Sequence, residues 1–117
     1  MANTFKVVTV AGVTSISTIY TVGGSTTTVV LGLILGNTTT TQQTATVTLS
    51  SNTAGRTANA NNSGANADVE LVTNAPIPAG ASLEMLAGNK VVLETTDIIK
   101  VTATGATDVA LSIMEIT

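Results

Sequence analysis

Apolar residues in this chain recur at every second position, in short runs broken by Gly, Asn, Pro or Ser. Thr44 to Ser50 is the cleanest case, with Ala45, Val47 and Leu49 on one side and Thr44, Thr46 and Thr48 on the other. A period of two is the mark of a strand with one face buried and one wetted. No window carries apolar residues at helical spacing for more than a turn or two, so the chain must bury its apolar surface as packed sheets. Phe5 to Val10 and Ile16 to Val22 also alternate. Gly23-Gly24-Ser25 follows and fits the turn of a hairpin. Asp68 to Ala75, Ser82 to Leu86, Val91 to Leu93, Asp97 to Ala103 and Asp108 to Ile116 complete the series. Pro76 and Pro78 cannot donate ladder hydrogen bonds and mark a connection or a sheet edge.

Thr26 to Gly36 departs from simple alternation. Val29, Leu31, Leu33 and Leu35 share one phase, and Val30, Gly32 and Ile34 share the other. Apolar residues in both phases indicate a central strand covered on both faces. Leu31 and Leu33 of the first phase are expected in the core with Val47, Leu49, Leu71, Leu83, Val101, Leu111 and Ile113. The second, Val30 and Ile34, is expected to pack on a symmetry mate or on another protein, the alternative being cover by a loop or by Met1 to Thr9 of the same chain. About eight short strands in 117 residues predict an all-β, single-domain, two-sheet sandwich spanning 1–117, with jelly-roll or immunoglobulin-like connectivity. Residues 51–67 have no apolar periodicity and are rich in Asn, Ser, Gly and Ala. They read as a long loop, disordered in the free protein and ordered by a partner, which makes Arg56, Asn61 and Asn62 candidate interface residues.

Composition narrows the function. Charged residues are 9% and aromatic residues 2%, with a net charge of −3. A polar but uncharged surface costs little to desolvate and suits cover by neighbouring subunits. Lys6, Arg56, Lys90 and Lys100 are too scattered for a nucleic-acid footprint. There is neither Cys nor His, which removes disulfides, thiolate metal sites and histidine bases. Lys90 and Lys100 have no evident Ser partner, and Asp68 and Glu70 read as a solvated pair. The Asn-rich segment has too little charge for a tight calcium site. No apolar run is long enough for a membrane helix, and Met1 to Thr4 has no signal-peptide pattern. The reading is a non-enzymatic chain without cofactor, metal, membrane, nucleic acid or small-molecule substrate, made in a cytoplasm.

Several strings carry a family resemblance. Ile19-Tyr20-Thr21-Val22, then Thr26-Thr27-Thr28-Val29-Val30-Leu31-Gly32-Leu33, then Thr44-Ala45-Thr46-Val47-Thr48-Leu49 resemble small virion structural proteins of tailed bacteriophages, marine cyanophages among them. Ile77-Pro78-Ala79-Gly80-Ala81-Ser82-Leu83-Glu84, Gly88-Asn89-Lys90, Asp97-Ile98-Ile99-Lys100-Val101 and Leu111-Ser112-Ile113-Met114-Glu115-Ile116-Thr117 extend the likeness over most of the chain. The resemblance implies a structural protein located in the virion. A capsid decoration (cement) protein bridging capsid subunits is the first expectation, and a neck, tail or fibre-associated component is the alternative. Its partners would be copies of itself, a trimer being one arrangement, and the major capsid protein or neck and tail proteins. A capsid or tail neighbour is then the other protein expected on Val30 and Ile34. A carbohydrate-binding sandwich is the reading from another class; it needs an aromatic platform, for which Tyr20 and Phe5 are the candidates.

Overall fold

The computed structural model describes residues 2–51, 67–86 and 89–117. The strands are β1 (Asn3–Val13), β2 (Ser17–Thr21), β3 (Thr27–Asn37), β4 (Gln43–Ser50), β5 (Val69–Ile77), β6 (Ser82–Met85), β7 (Val91–Leu93), β8 (Ile98–Ala103) and β9 (Thr107–Ile116). They form two antiparallel sheets, a two-sheet sandwich. One runs β1-β9-β3-β6, with β7 also on β3, and the other runs β2-β8-β4-β5.

The pairing is that of one long hairpin rolled up on itself. β4 pairs β5, β3 pairs β6 and β7, β2 pairs β8, and β1 pairs β9. Rolling places β3 beside β9 and β4 beside β8, which closes the two sheets over each other. This is jelly-roll connectivity, and β6 and β7 together take the place of one strand. The expectation of a hairpin at Gly23-Gly24-Ser25 is corrected here. β2 and β3 lie in different sheets, so that turn carries the chain across the sandwich. Val22 N–H donates to Asp97 O at 3.0 Å and Thr96 N–H donates to Val22 O at 3.1 Å, which pins the crossing to the β7–β8 turn.

The core lies between the sheets. Leu33, Val47, Val101, Leu111 and Ile113 are buried in it, as expected, and Leu49, Leu71 and Leu83 pack half-buried against it. Two assignments on β3 are corrected. Val30 is fully buried in this core, and Leu31 is not part of it. The cause is a bulge. Val30 is opposite Ile113 and Gly32 is opposite Ser112, so Leu31 is an extra residue with no counterpart on β9. One extra residue inverts the phase of everything before it. Thr28, Val30, Leu33 and Leu35 therefore face inward, while Val29 and Ile34 face out. β2 is bulged in the same way: Ile19 has no counterpart on β8, and Ile19 and Tyr20 both turn inward. In β1 the register shifts between Val10 and Val13. Gly12 has φ +68° there, a conformation only glycine takes without strain. The expected disorder of the 51–67 segment, with Arg56, Asn61 and Asn62, falls on 52–66 and lies outside the described residues.

Candidate interaction surface

At one end of the sandwich the inward phase of β9 finishes on Glu115. Its carboxylate is held from both sides. Lys6 Nζ on β1 is 2.7 Å from Oε1, and Tyr20 OH on β2 donates to Oε2 at 2.5 Å. Tyr20 OH also shares a hydrogen bond of 2.8 Å with Thr28 Oγ1 on β3. Four strands from the two sheets meet at this cluster, so it ties the layers together where the apolar core ends. The hydrogen bond from Lys6, then that from Tyr20, holds the Glu115 carboxyl below the usual carboxylate range. Burial, then the bond to Glu115, raises the Tyr20 phenol, which keeps its proton. A carboxyl depressed in the folded state stabilises it above the unfolded value of about 4.3, and that contribution is lost as pH falls through the folded value. Wild type is therefore expected to lose melting temperature between about pH 5 and pH 3 more steeply than Glu115→Gln. Parallel acid slopes in thermal melts would show that the cluster carries no linked proton.

The two outer faces differ in kind. On the β2-β8-β4-β5 sheet, Thr18, Lys100, Thr48 and Glu70 stand side by side across all four strands. That face is polar, as for a sheet with one side in water. The outer face of the other sheet is apolar. Phe5, Met114, Val29 and Val92 form one continuous row across β1, β9, β3 and β7. Val7, Ser112 and Gly32 form the next row, and Thr9, Ala110, Ile34 and Glu84 the one after. Phe5, Val7 and Val92 are 71%, 63% and 61% exposed, and Ile34 is 45% exposed. Beyond the third row lies a hollow of about 340 Å³ between Thr9, Ala11, Ile34, Gly36, Asp108 and Ala110. Asp108 Oδ1 accepts a hydrogen bond of 2.9 Å from Gly12 N–H, which fixes the rim of the hollow to the bulge of β1.

Of the sequence-predicted interface residues, Ile34 lies on this face and Val30 lies beneath it in the core. Arg56, Asn61 and Asn62 are outside the described residues. Sequence reasoning missed Phe5, Val7, Met114 and Val92. The alternation of β1 did place Phe5, Val7 and Thr9 together; what it lacked was which phase faced the core. Asp68 and Glu70 are both exposed, as a solvated pair should be. Among the described residues no group of three or more acidic side chains could hold a metal ion. No helix among them is long and apolar enough to cross a membrane.

No family model and no curated protein matches the chain. Among solved structures, a chain of the Bacillus endospore appendages, described as a novel family of disulfide-linked pili, is similar at 14% identity and a TM-score of 0.47. The match covers 99% of this chain and 87% of that one. The 117 residues here contain no cysteine.

Proposed function

We propose that this chain is a non-enzymatic structural protein of a tailed-bacteriophage virion, and that it sits on the capsid as a decoration protein bridging capsid subunits. The observation that carries the reading is the asymmetry of the sandwich. One outer face is threonine and charge, and the other is a nearly uncharged apolar sheet from Phe5 to Val92. Large exposed apolar patches on small domains mark contact with other proteins. Sequence resemblance to small virion proteins supplies the kind of particle. Its partners are then the major capsid protein and further copies of itself. The carbohydrate reading is weakened, because the Tyr20 hydroxyl is engaged between the sheets by Glu115 and Thr28. Phe5 alone offers no stacked platform.

Quantitative mass spectrometry of purified particles from infected cells tests this. Copies in the hundreds per particle are expected for a capsid decoration protein. About a dozen copies would move the chain to the neck or tail, as expected for a ring of subunits. Its absence from purified particles would overturn the virion reading altogether.

A further inference from the structure

We propose that the apolar outer face of β1, β9, β3, β6 and β7 is a twofold interface, on which a second copy of this chain docks face to face. The proposal rests on the reading of this face as a contact surface and adds its occupant and register. Shape is the first argument. The row Phe5, Met114, Val29 and Val92 is bulky. The row Thr9, Ala110, Ile34 and Glu84 lies two residues further along β1 and borders the hollow. Between them run Val7, Ser112 and Gly32, and Ser112 and Gly32 leave the centre of the sheet low. A Cβ added at Gly32 would meet nothing within 4 Å. A twofold axis in the interface along this middle row reverses the strand direction and keeps each strand over its own mate. It lays Phe5 and Met114 of each copy over Thr9 and Ala110 of the other, and Val29 and Val92 over Ile34 and Glu84. Phe5 then stands over Thr9 and the hollow beside it, and the reciprocal contact follows from the symmetry. The bulky Phe5 and Met114 and the smaller Thr9 and Ala110 lie at equal distances from one line, which is the condition for self-complementarity.

Area is the second argument. Four strands about 4.8 Å apart and eight residues of about 3.4 Å give a face of roughly 19 by 27 Å, about 500 Å² per copy. Two copies bury about 1,000 Å², the lower bound for a specific interface. Charge is the third. Among the paired strand residues of the three central rows the ionisable side chain is Glu84, which this axis places over Val92 of the second copy. No carboxylates meet within these rows, although each chain is net negative.

β1 is also a free sheet edge, and edge pairing is the competing way for two copies to meet. The two modes separate cleanly. Ala2 and Thr117 exchange both backbone hydrogen bonds, so even-numbered residues of β1 bond to β9 and the N–H of Val7 points off the edge. Val7→Pro therefore blocks edge pairing, keeps an apolar side chain on the face and leaves the sheet's own ladder intact. Val92→Glu acts only on the face, at the far side of the sheet from β1, and sets a carboxylate over Glu84 of the second copy. Adding Glu84→Lys restores the match between copies. Within one chain the two residues lie at opposite ends of the β3 register, Val92 beside Val29 and Glu84 beside Ile34, so that rescue is intermolecular.

Light scattering and sedimentation across a concentration series, with thermal melts to verify folding, test the proposal. The expected result is a wild-type mass of twice the 11.7 kDa chain. Val92→Glu should be a folded single chain, Glu84→Lys/Val92→Glu a dimer again, and Val7→Pro a dimer. A wild type that stays at one chain mass, or assembles as a trimer, overturns the proposal. So does a dimer that survives Val92→Glu but dissociates with Val7→Pro. The virion reading is judged separately by particle composition. A dimer absent from particles upholds this interface and sinks that reading, and a single chain found in particles does the reverse.

Discussion

Val30→Asp is expected to unfold the free domain, and Ile34→Asp is expected to leave it folded. The two positions are four residues apart on one strand, and both are apolar and β-branched. The difference is the bulge at Leu31 between them. Val30 is fully buried, with Ile113 beside it on β9 and Val91 on β7. Among the described residues no cation is buried in the core, and an unpaired buried charge costs several kcal/mol even after relaxation. That is comparable with the whole stability of a small domain, about 5–15 kcal/mol. Ile34 is 45% exposed and its side chain reaches solvent beside Ala110 and Glu84. In a single chain aspartate there keeps its hydration and the expected loss is within about 1 kcal/mol, whereas a second copy docked with Val29 over it would be displaced. Circular dichroism and thermal melts of the two variants decide it. Two folded variants, or two unfolded ones, would show that the β3 register is wrong.

The same bulge explains where the sequence was readable and where it was not. β4 and β9 keep one phase for their whole length, so Ala45, Val47, Val109, Leu111 and Ile113 were legible as inward residues. β3 changes phase at Leu31, and the local mark is Gly32 beside it, which alternation alone reads past. Alternation read straight through it puts Val30 outside. β2 changes phase at Ile19, which hides Tyr20 as an inward residue and with it the tie to Glu115. Strand existence follows from local pattern, whereas the place of a bulge is decided by the partner strand, and a glycine nearby, as in β1 and β3, is its one local hint. Gly23-Gly24-Ser25 was legible as a turn but not as a crossing between sheets, because a hairpin and a crossing use the same residues. The apolar outer face was half legible. Phe5 and Val7 alternate visibly, but which phase meets water depends on the strands that roll over the other side. Asn37 was illegible, since an Asn before a threonine run reads as a turn.

Asn37→Ala is the second large effect, an expected loss of about 3 kcal/mol or more, because one buried amide joins three segments of chain. Asn37 is 3% exposed at the end of β3. Its Nδ2 donates to Thr41 O at 2.8 Å, to Ile77 O at 2.9 Å and to Pro78 O at 3.2 Å. Its Oδ1 accepts from Thr39 N–H at 2.9 Å and from Thr39 Oγ1 at 2.7 Å. The amide therefore fastens the β3–β4 connection, which changes sheets, to the β5–β6 connection, which changes back. Truncation leaves the buried Ile77 O and the part-buried Thr41 O, Pro78 O and Thr39 N–H without the amide. Each orphaned buried group costs about 1–3 kcal/mol. Asn37→Asp separates hydrogen bonding from shape. It keeps the volume and the acceptor to Thr39 but turns an oxygen toward three carbonyl oxygens. A carboxylate there is repelled by its neighbours as well as desolvated. Asn37→Asp should thus be less stable than Asn37→Ala near neutral pH. Protonation should return part of the difference in acid, because the neutral acid regains one donor. Urea midpoints with unchanged m-values measure both variants. If aspartate is tolerated as well as asparagine at neutral pH, the amide is not the donor that holds these connections together.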